Sequence, residues 1–365
     1  MRHTGRSKEK TRTGDSAFRF ASLAEQLKLV THRHEDSKAR EINMQRMARS
    51  LLLLAGFVAG CIGAARLALS RSSSATLQLP PGTSAILDNI YSARTDAAAA
   101  QAKQLEQQYP DNPLGYLLEA EARWWKIWCA SAEFKYGMTM ARHREKLEAD
   151  QPYLDLTTKA YKLAENSIHK QDSGEMRLYA GMADGLAARL YGLRGETRAG
   201  ARAGVHAREN FLKALSLDPT LTDAYMGLGL YNYYVDTLSG LARVLRFFMG
   251  IPGGSKEEGI RQLQKAINGG ELSPALARFY LALDLHNYDQ KYNEALEVIS
   301  PLAEKYPDNP VFQLMRGDLN AKMNRKTQAE ASYRAAASGA EKLTDADCRK
   351  KINSLVNESL AALNK

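Results

Sequence analysis

Cysteine is scarce in this chain, with three residues in a length of 365. Cys61 lies in an apolar stretch near the amino terminus, which leaves Cys129 and Cys348 for the remainder of the chain. Two cysteines are too few to build a metal framework. The pattern described below places both of them on helices that should lie far apart, so we expect no disulfide.

The positive charge is unevenly spread, although the whole chain carries a formal net charge of +9. Residues 1–50 hold 12 Lys and Arg against 6 Asp and Glu, and residues 51–71 add two arginines without any acid. Residues 72–365 are therefore nearly neutral. Proteins that bind nucleic acid normally carry a basic footprint on the folded part, so we expect no nucleic-acid partner.

Sequence motifs of catalysis, of cofactor binding and of metal binding are also missing. The segment GIPGGSKEEG at 250–259 lacks the order of a phosphate loop, and Ser255 with Glu258 instead predicts a capping box at a helix start. Histidines 143, 169, 206 and 286 are scattered, and a metal role for HRHED at 32–36 is disfavoured because that tail is expected to be unfolded or untranslated. We expect no catalytic residue, no cofactor and no metal.

Long apolar runs are limited to one segment. Its uninterrupted part, Leu51 to Ala65, is 15 residues long, which is short for a confident membrane span and typical of a secretory signal core. The run contains Val58-Ala59-Gly60-Cys61, which resembles a bacterial lipoprotein signal in which the cysteine receives lipid after cleavage. An uncleaved anchor and a cleaved soluble form are the alternatives.

These features predict the organisation of the chain. Residues 1–46 are a basic tail or an over-extended start, 47–71 are the signal or anchor, 72–84 are a linker, and 85–362 form a helical repeat domain. Because the basic flank at Arg46 and Arg49 stays inside, a lipidated or anchored chain would face outward, into the periplasm of a Gram-negative cell.

The pentapeptide YPDNP occurs twice, at 109–113 and at 306–310. Apolar residues spaced by four and three precede the second copy, as on one face of a helix, and another apolar stripe follows it. Pro310 cannot continue a helix but suits the first turn of a new one. YPDNP therefore predicts a tight elbow between two helices, and its return predicts a repeated helix–turn–helix unit.

The spacing of these units resembles that of the tetratricopeptide repeats (TPR). The match is clearest over about 200–340 and looser over 85–130, and the pattern is also loosely similar to a bacterial group related to a mitochondrial outer-membrane-associated repeat family. The resemblance implies an all-α solenoid, a right-handed superhelix of helix pairs closed by a capping helix at its carboxyl end. The positions that carry it are Ala207, Phe211, Ala214, Pro219, Tyr225, Leu228, Gly229, Ala295, Pro307, Gly317, Ala329, Tyr333 and Ala336.

Two regions depart from the family pattern. The connection between Gly229 and Gly259 is about eighteen residues longer than a 34-residue repeat allows, which makes 235–255 an insertion. Within it, LARVLRFFMGI at 241–251 predicts an amphipathic helix that either plugs the concave side or docks on a membrane or partner through Phe247 and Phe248. Region 130–195 predicts longer, irregular helices.

The candidate partner-binding residues are aromatic and basic. The resemblance places the aromatic groups on first helices, which line the concave groove in this family, although core packing is the simpler expectation for most of them. Three tyrosines within four positions cannot all share one side of a helix. Arg198 and Arg202 lie one turn apart and could receive an acidic tail or lipid headgroup. The full set is Trp124, Trp125, Trp128, Arg198, Arg202, Tyr231, Tyr233, Tyr234, Phe247 and Phe248.

These observations favour a non-catalytic, membrane-tethered scaffold that binds a protein or peptide in the cell envelope. Two rivals stay open. One is an envelope enzyme, or an enzyme subunit, with an unrecognised site in 130–195. The other is a peripheral lipid-interacting module that acts through 241–251. A pocket with a perturbed acid–base cluster would favour the enzyme.

Overall fold

The computed structural model describes residues 77–131, 145–237 and 250–364, which all belong to one compact unit spanning Thr76–Lys365. Thirteen α-helices and no β-strand are found in these residues. The helices are α1 (Thr83–Tyr91), α2 (Thr95–Gln108), α3 (Leu114–Ser131), α4 (Asp150–Lys170), α5 (Gly174–Arg194), α6 (Thr197–Leu217), α7 (Ala224–Asp236), α8 (Lys256–Gly269), α9 (Pro274–Asn287), α10 (Tyr292–Lys305), α11 (Pro310–Lys322), α12 (Lys326–Ala340) and α13 (Ala346–Leu363).

Both YPDNP segments are elbows, as predicted. The first joins α2 to α3 and the second joins α10 to α11. In the second, the Asn309 side chain accepts hydrogen bonds from the backbone N–H groups of Val311, at 2.9 Å, and Phe312, at 3.3 Å. In the first, Asn112 accepts from the Leu114 N–H at 2.8 Å. Asparagine supplies this cap because its short side chain reaches N–H groups that have no partner within the helix.

Each helix packs mainly on its neighbours in the chain, which is the arrangement of a TPR-like solenoid. Glycines allow the closest approaches. The Phe211 ring of α6 is wedged between Gly181 of α5 and Gly227 of α7, and a Cβ added to Gly181 would lie 2.7 Å from that ring. Gly317 of α11 lies under Tyr333 of α12 in the same manner, since a Cβ added to this glycine would lie 2.6 Å from the tyrosine ring. Small-to-aromatic pairs therefore hold the helices together.

The predicted insertion leaves the repeat contact intact. Gly229 of α7 and Gly259 of α8 touch, because a Cβ on Gly259 would lie 2.7 Å from the Gly229 carbonyl oxygen. The predicted helix start is confirmed, since the Ser255 side chain accepts from the Glu258 N–H at 3.3 Å where α8 begins, while the Glu258 carboxylate pairs with Arg261. The longer helices expected in 130–195 are confirmed by α4 and α5, of 21 residues each.

The amino-terminal part of the stack contacts the connections that precede α9 and α11. The Leu77 N–H donates to Glu271 at 2.9 Å, the Tyr306 hydroxyl donates to Asp88 at 2.8 Å, and the Asn309 side-chain amide donates to the Tyr91 carbonyl at 2.8 Å. The described helices therefore close into a ring, and the three tryptophans that the family resemblance placed on a concave groove are buried within it.

A disulfide fixes this closure, and our expectation of none was wrong. Cys129 at the end of α3 is bonded to Cys348 at the start of α13, across a sequence separation of 219 residues, with the two Cα atoms 5.7 Å apart. Lys351 of α13 also donates to the Cys129 carbonyl at 3.1 Å. The last helix therefore seals the ring against α3 as well as capping α12. Curvature accumulated over successive helix pairs brings the two cysteines together.

No helix among the described residues is long and apolar enough to cross a membrane. The run Leu51 to Ala65, with Cys61, lies outside the described residues.

Candidate functional site

The inner face of the ring is filled by the chain's own aromatic side chains. Trp124, Trp125 and Trp128 of α3 are 5%, 7% and 6% exposed. The Trp125 ring lies 5.1 Å from Phe279 of α9 and 5.9 Å from Phe312 of α11. The three tryptophans proposed as groove anchors are therefore core residues in this structure, and they present little surface on which a partner could dock.

Charged groups inside the ring are paired. Arg189 of α5 forms an ion pair with Glu121 of α3, and its guanidinium lies 4.9 Å from the centre of the Trp124 ring. Arg194 makes two hydrogen bonds to the Asp150 carboxylate, at 2.6 and 2.7 Å. Both arginines meet a carboxylate, which is the arrangement that buried charge requires. These pairs therefore hold the helices in place and leave neither arginine for a ligand.

None of the three tyrosines of α7 is exposed. Tyr233 is buried and donates to the Asp284 backbone carbonyl at 3.2 Å. Tyr231 and Tyr234 are part-buried, and Tyr231 donates to the Pro252 carbonyl and Tyr234 to the Asp284 carboxylate, at 2.9 and 3.0 Å. Burial raises the pKa of the Asp284 carboxyl well above its usual range. All three hydroxyls are used in holding α7 to its neighbours.

An open cleft of about 260 Å³ lies on α4, α5 and α6. Four alanines, two on α5 and two on α6, line the cleft and leave the space that larger side chains would fill. Thr157, Thr158 and Tyr161 form the α4 wall, and Tyr191 and Asp184 come from α5. Arg202 and His206 form the exposed α6 wall. The cleft therefore joins an acidic side to a basic side.

Asp184 is the electrostatically unusual group in this cleft. Its Oδ2 atom is buried and has no hydrogen-bond partner among the described residues. Burial raises the pKa of the carboxyl to about 7, with a further contribution from the neighbouring charge of Glu165. Burial also raises the pKa of Tyr161, with added contributions from Glu165 and Asp184. The Asp184 carboxyl of α5 thus interacts with a carboxyl group and a phenol of α4.

Another carboxyl with a raised pKa lies outside this cleft. The pKa of Glu106 in α2 is raised to about 8, first by burial and then by Glu119. Glu119 in turn pairs with Arg123 and Lys103, at 2.5 and 3.8 Å. This acidic pair supports the α2–α3 contact and lines neither the cleft nor the small cavity beside the disulfide.

The remaining predicted site residues fall in different places. Arg202 lines the cleft, while Arg198 is exposed one turn away. Phe247, Phe248 and Cys61 lie outside the described residues. Among the described residues no group of three or more His, Cys, Asp or Glu side chains is arranged to hold a metal ion. The buried repeat positions include Ala207, Phe211, Ala214, Leu228, Ala295, Ala329, Tyr333 and Ala336, whereas Pro219, Tyr225 and Pro307 are only partly buried or exposed.

The sequence reasoning missed Asp184, Tyr161 and the disulfide. A signal for Asp184 was present in the sequence, because it is the one acid in the small and apolar run AGMADGLAA at 180–188. Alanine and glycine neighbours on a helix have no long side chains that could cover such a carboxyl or pair with it. No comparable local signal marks the disulfide.

Comparisons of the chain with solved structures give distant likenesses. No protein family model matches the chain, and no curated protein matches it significantly. Among solved structures, the chain is similar to the crystal structure of the yeast Tom70, with a TM-score of 0.36 and 12% sequence identity over 76% of this chain and 72% of that chain. At this level of similarity the structure of the chain itself has to carry the functional inference.

Proposed function

We propose that this chain is a non-catalytic binding module that holds a protein or peptide partner in the cleft on α4–α6. The observation that carries the proposal is the contrast between the two faces of the fold. The inner face is filled by tryptophans and paired charges, whereas the cleft is open and lined by groups of both charges. A concave site with a few convergent polar groups is the usual form of a binding site.

We further propose that the module is tethered to a membrane and faces a non-reducing compartment. Structural disulfides persist in oxidising environments, and the Cys129–Cys348 bridge fits an exported domain. The tether would be lipid on Cys61 or an anchor within 47–71. The intact mass of the amino-terminal peptide tests this directly. A lipid-modified Cys61 supports the lipoprotein form, whereas an unmodified Cys61 with the upstream residues retained supports an anchor.

The binding role is tested by site-specific photocrosslinking in cells. A photoreactive amino acid at Thr158, which lines the cleft and is exposed, should give a discrete adduct with one partner. The matched control is the same group at Glu330, an exposed position on α12. Identical adducts from both positions, or none from Thr158, would count against a partner in the cleft.

Acid–base catalysis in the same cleft is the second candidate function. The pKa of Asp184, at about 7, is suited to proton transfer at neutral pH, and the residue lies in the region 130–195 where an enzyme site was the alternative. Incubation of the protein with a metabolite extract, followed by mass spectrometry, separates the two candidates. Consumption of a compound by the wild type and not by Asp184→Asn would favour the enzyme.

A further inference from the structure

The buried carboxyl of Asp184 lacks the kind of counter-ion that two other buried acids in this fold possess. Asp150 is matched by Arg194 and Glu121 by Arg189. Asp184 has no such cation among the described residues, and its Oδ2 atom receives no hydrogen bond from them. A buried carboxylate oxygen without a donor is unfavourable, and the fold leaves this one beside an open cleft. Asp184 as a whole is only half-buried and lines the cleft, so a positively charged donor that enters the cleft can meet the exposed part of this carboxyl.

The charged groups around Asp184 have a consistent arrangement. From α4, Glu165 and Tyr161 lie close enough to interact with it electrostatically. From α6, Arg202 and His206 line the opposite wall and are exposed to solvent. The Arg202 guanidinium is thus already hydrated, whereas the Asp184 carboxyl is partly desolvated. Desolvation strengthens an electrostatic contact, so the acidic wall is the one that gains most from a ligand.

The shape of the cleft limits the size of the cation. The four alanines of its lining can pack against an aliphatic chain. Tyr161 and Tyr191 also line the cleft, and aromatic faces attract a nearby cation. A lysine side chain matches both features, because it has a four-carbon stem and a compact ammonium group. The four alanines are Ala183, Ala187, Ala199 and Ala203.

We infer that the α4–α6 cleft recognises a lysine side chain of the partner, with Asp184 as the counter-ion of its ammonium group. The inference rests on the proposed binding function and names the chemistry that the cleft selects. Thr158 supplies an exposed hydroxyl group at the α4 wall, and Arg202 disfavours a second cation at the α6 wall. A single lysine side chain of an extended or helical segment fits a cleft with one acidic and one basic wall.

Proton linkage gives the inference a distinctive signature. Because the pKa of Asp184 is raised to about 7, the carboxyl is partly protonated at neutral pH, and an ammonium group must displace that proton. Binding should therefore release protons at pH 7 and should weaken about tenfold between pH 8 and pH 6, as the ionised fraction falls. Histidine side chains in general change charge in this pH range, so His206→Gln serves as a second background in which the pH dependence should persist.

The test uses the full-length chain in detergent and calorimetry with small probes. The probe is Nα-acetyl-lysine methylamide, and the controls are its Nε-acetylated form and the norleucine analogue, which keep the stem but lack the charge. We expect binding of the lysine probe alone, with proton release measured in two buffers of different ionisation enthalpy. Asp184→Asn should weaken binding at least tenfold at pH 8, whereas Asp155→Asn on the exposed face of α4 should not.

Each outcome decides the matter. Equal binding of the lysine probe to wild type and Asp184→Asn would overturn the inference, as would tighter binding of the corresponding glutamate probe that is lost in Arg202→Ala. A partner adduct at Thr158 that survives Asp184→Asn would preserve the binding function and reject lysine recognition. Lysine binding that depends on Asp184, without any partner adduct at Thr158, would support lysine recognition and reject the protein partner.

Discussion

The closure of the ring can be tested by removing the disulfide between Cys129 and Cys348. The bond closes a loop across a separation of 219 residues, and it therefore restricts the unfolded chain strongly. In the chain-entropy model a loop of this length corresponds to about 5 kcal/mol at 25 °C, and measured values for disulfides more often lie at about 2–4 kcal/mol. We expect the double variant Cys129→Ser/Cys348→Ser to lose about 3–5 kcal/mol of unfolding free energy.

Other contacts that close the ring survive the loss of the disulfide. Thr344 still donates to Asp96 at 2.5 Å, and Asn309 still donates to the Tyr91 carbonyl at 2.8 Å. The fold should therefore remain closed at low denaturant while α13 opens more often. Because each helix pair contacts mainly its neighbours, the loss of protection should be confined to α13 and the end of α3.

The assay is urea denaturation followed by circular dichroism, combined with hydrogen exchange read by mass spectrometry. Oxidised wild type, wild type with a reductant and the double variant are compared, and Cys61→Ser is the control that keeps the disulfide. We expect the reduced protein and the double variant to unfold at the same lower urea concentration. Unchanged midpoints, or free thiols at both Cys129 and Cys348 in the denatured oxidised protein, would refute the stabilising disulfide.

Three further predictions follow from the same structure. Gly227→Ala should lower the free energy of unfolding by about 1–3 kcal/mol, because its Cβ would overlap the Phe211 ring. Gly204→Ala has open space around it and should be neutral or stabilising by up to about 1 kcal/mol. Urea midpoints compare the two variants. Asn309→Ala should destabilise by about 1 kcal/mol more than Asn112→Ala in the same assay, since it also removes the donor to the Tyr91 carbonyl. The folded pKa of Asp184, at about 7, exceeds its unfolded value, so its protonation stabilises the fold at low pH, and this stability is lost as the pH rises from about 4 to about 7. The free energy of unfolding of Asp184→Asn should therefore exceed that of the wild type by up to about 4 kcal/mol at pH 8 and by little at pH 4. Thermal melts across this pH range would show the difference.

Local features of the fold were predictable because their causes are local. The YPDNP elbows follow from the restricted backbone of proline and from asparagine capping, and the start of α8 follows from Ser255 and Glu258. The small residues Gly229 and Gly317 mark close helix contacts that short side chains alone permit. Each of these signals is complete within one helix pair.

The closed ring was not predictable in the same way. Its curvature is the sum of small rotations between successive pairs, and no single pair in the sequence reports that sum. The concave groove was therefore expected to be open, although Trp125, Phe279 and Phe312 fill it from three distant segments. Asp184 was missed for a related reason, because its burial depends on α4 and α6 as well as on its own helix.

The two copies of YPDNP show how one local structure serves two tertiary roles. Tyr109 of the first copy is 39% exposed, whereas Tyr306 of the second is buried and donates to Asp88. The elbow itself is the same, so the difference comes from where each copy falls around the ring. The second copy meets α1 through Asp88 and the Tyr91 carbonyl. Ring closure therefore determines which of the two elbows is buried.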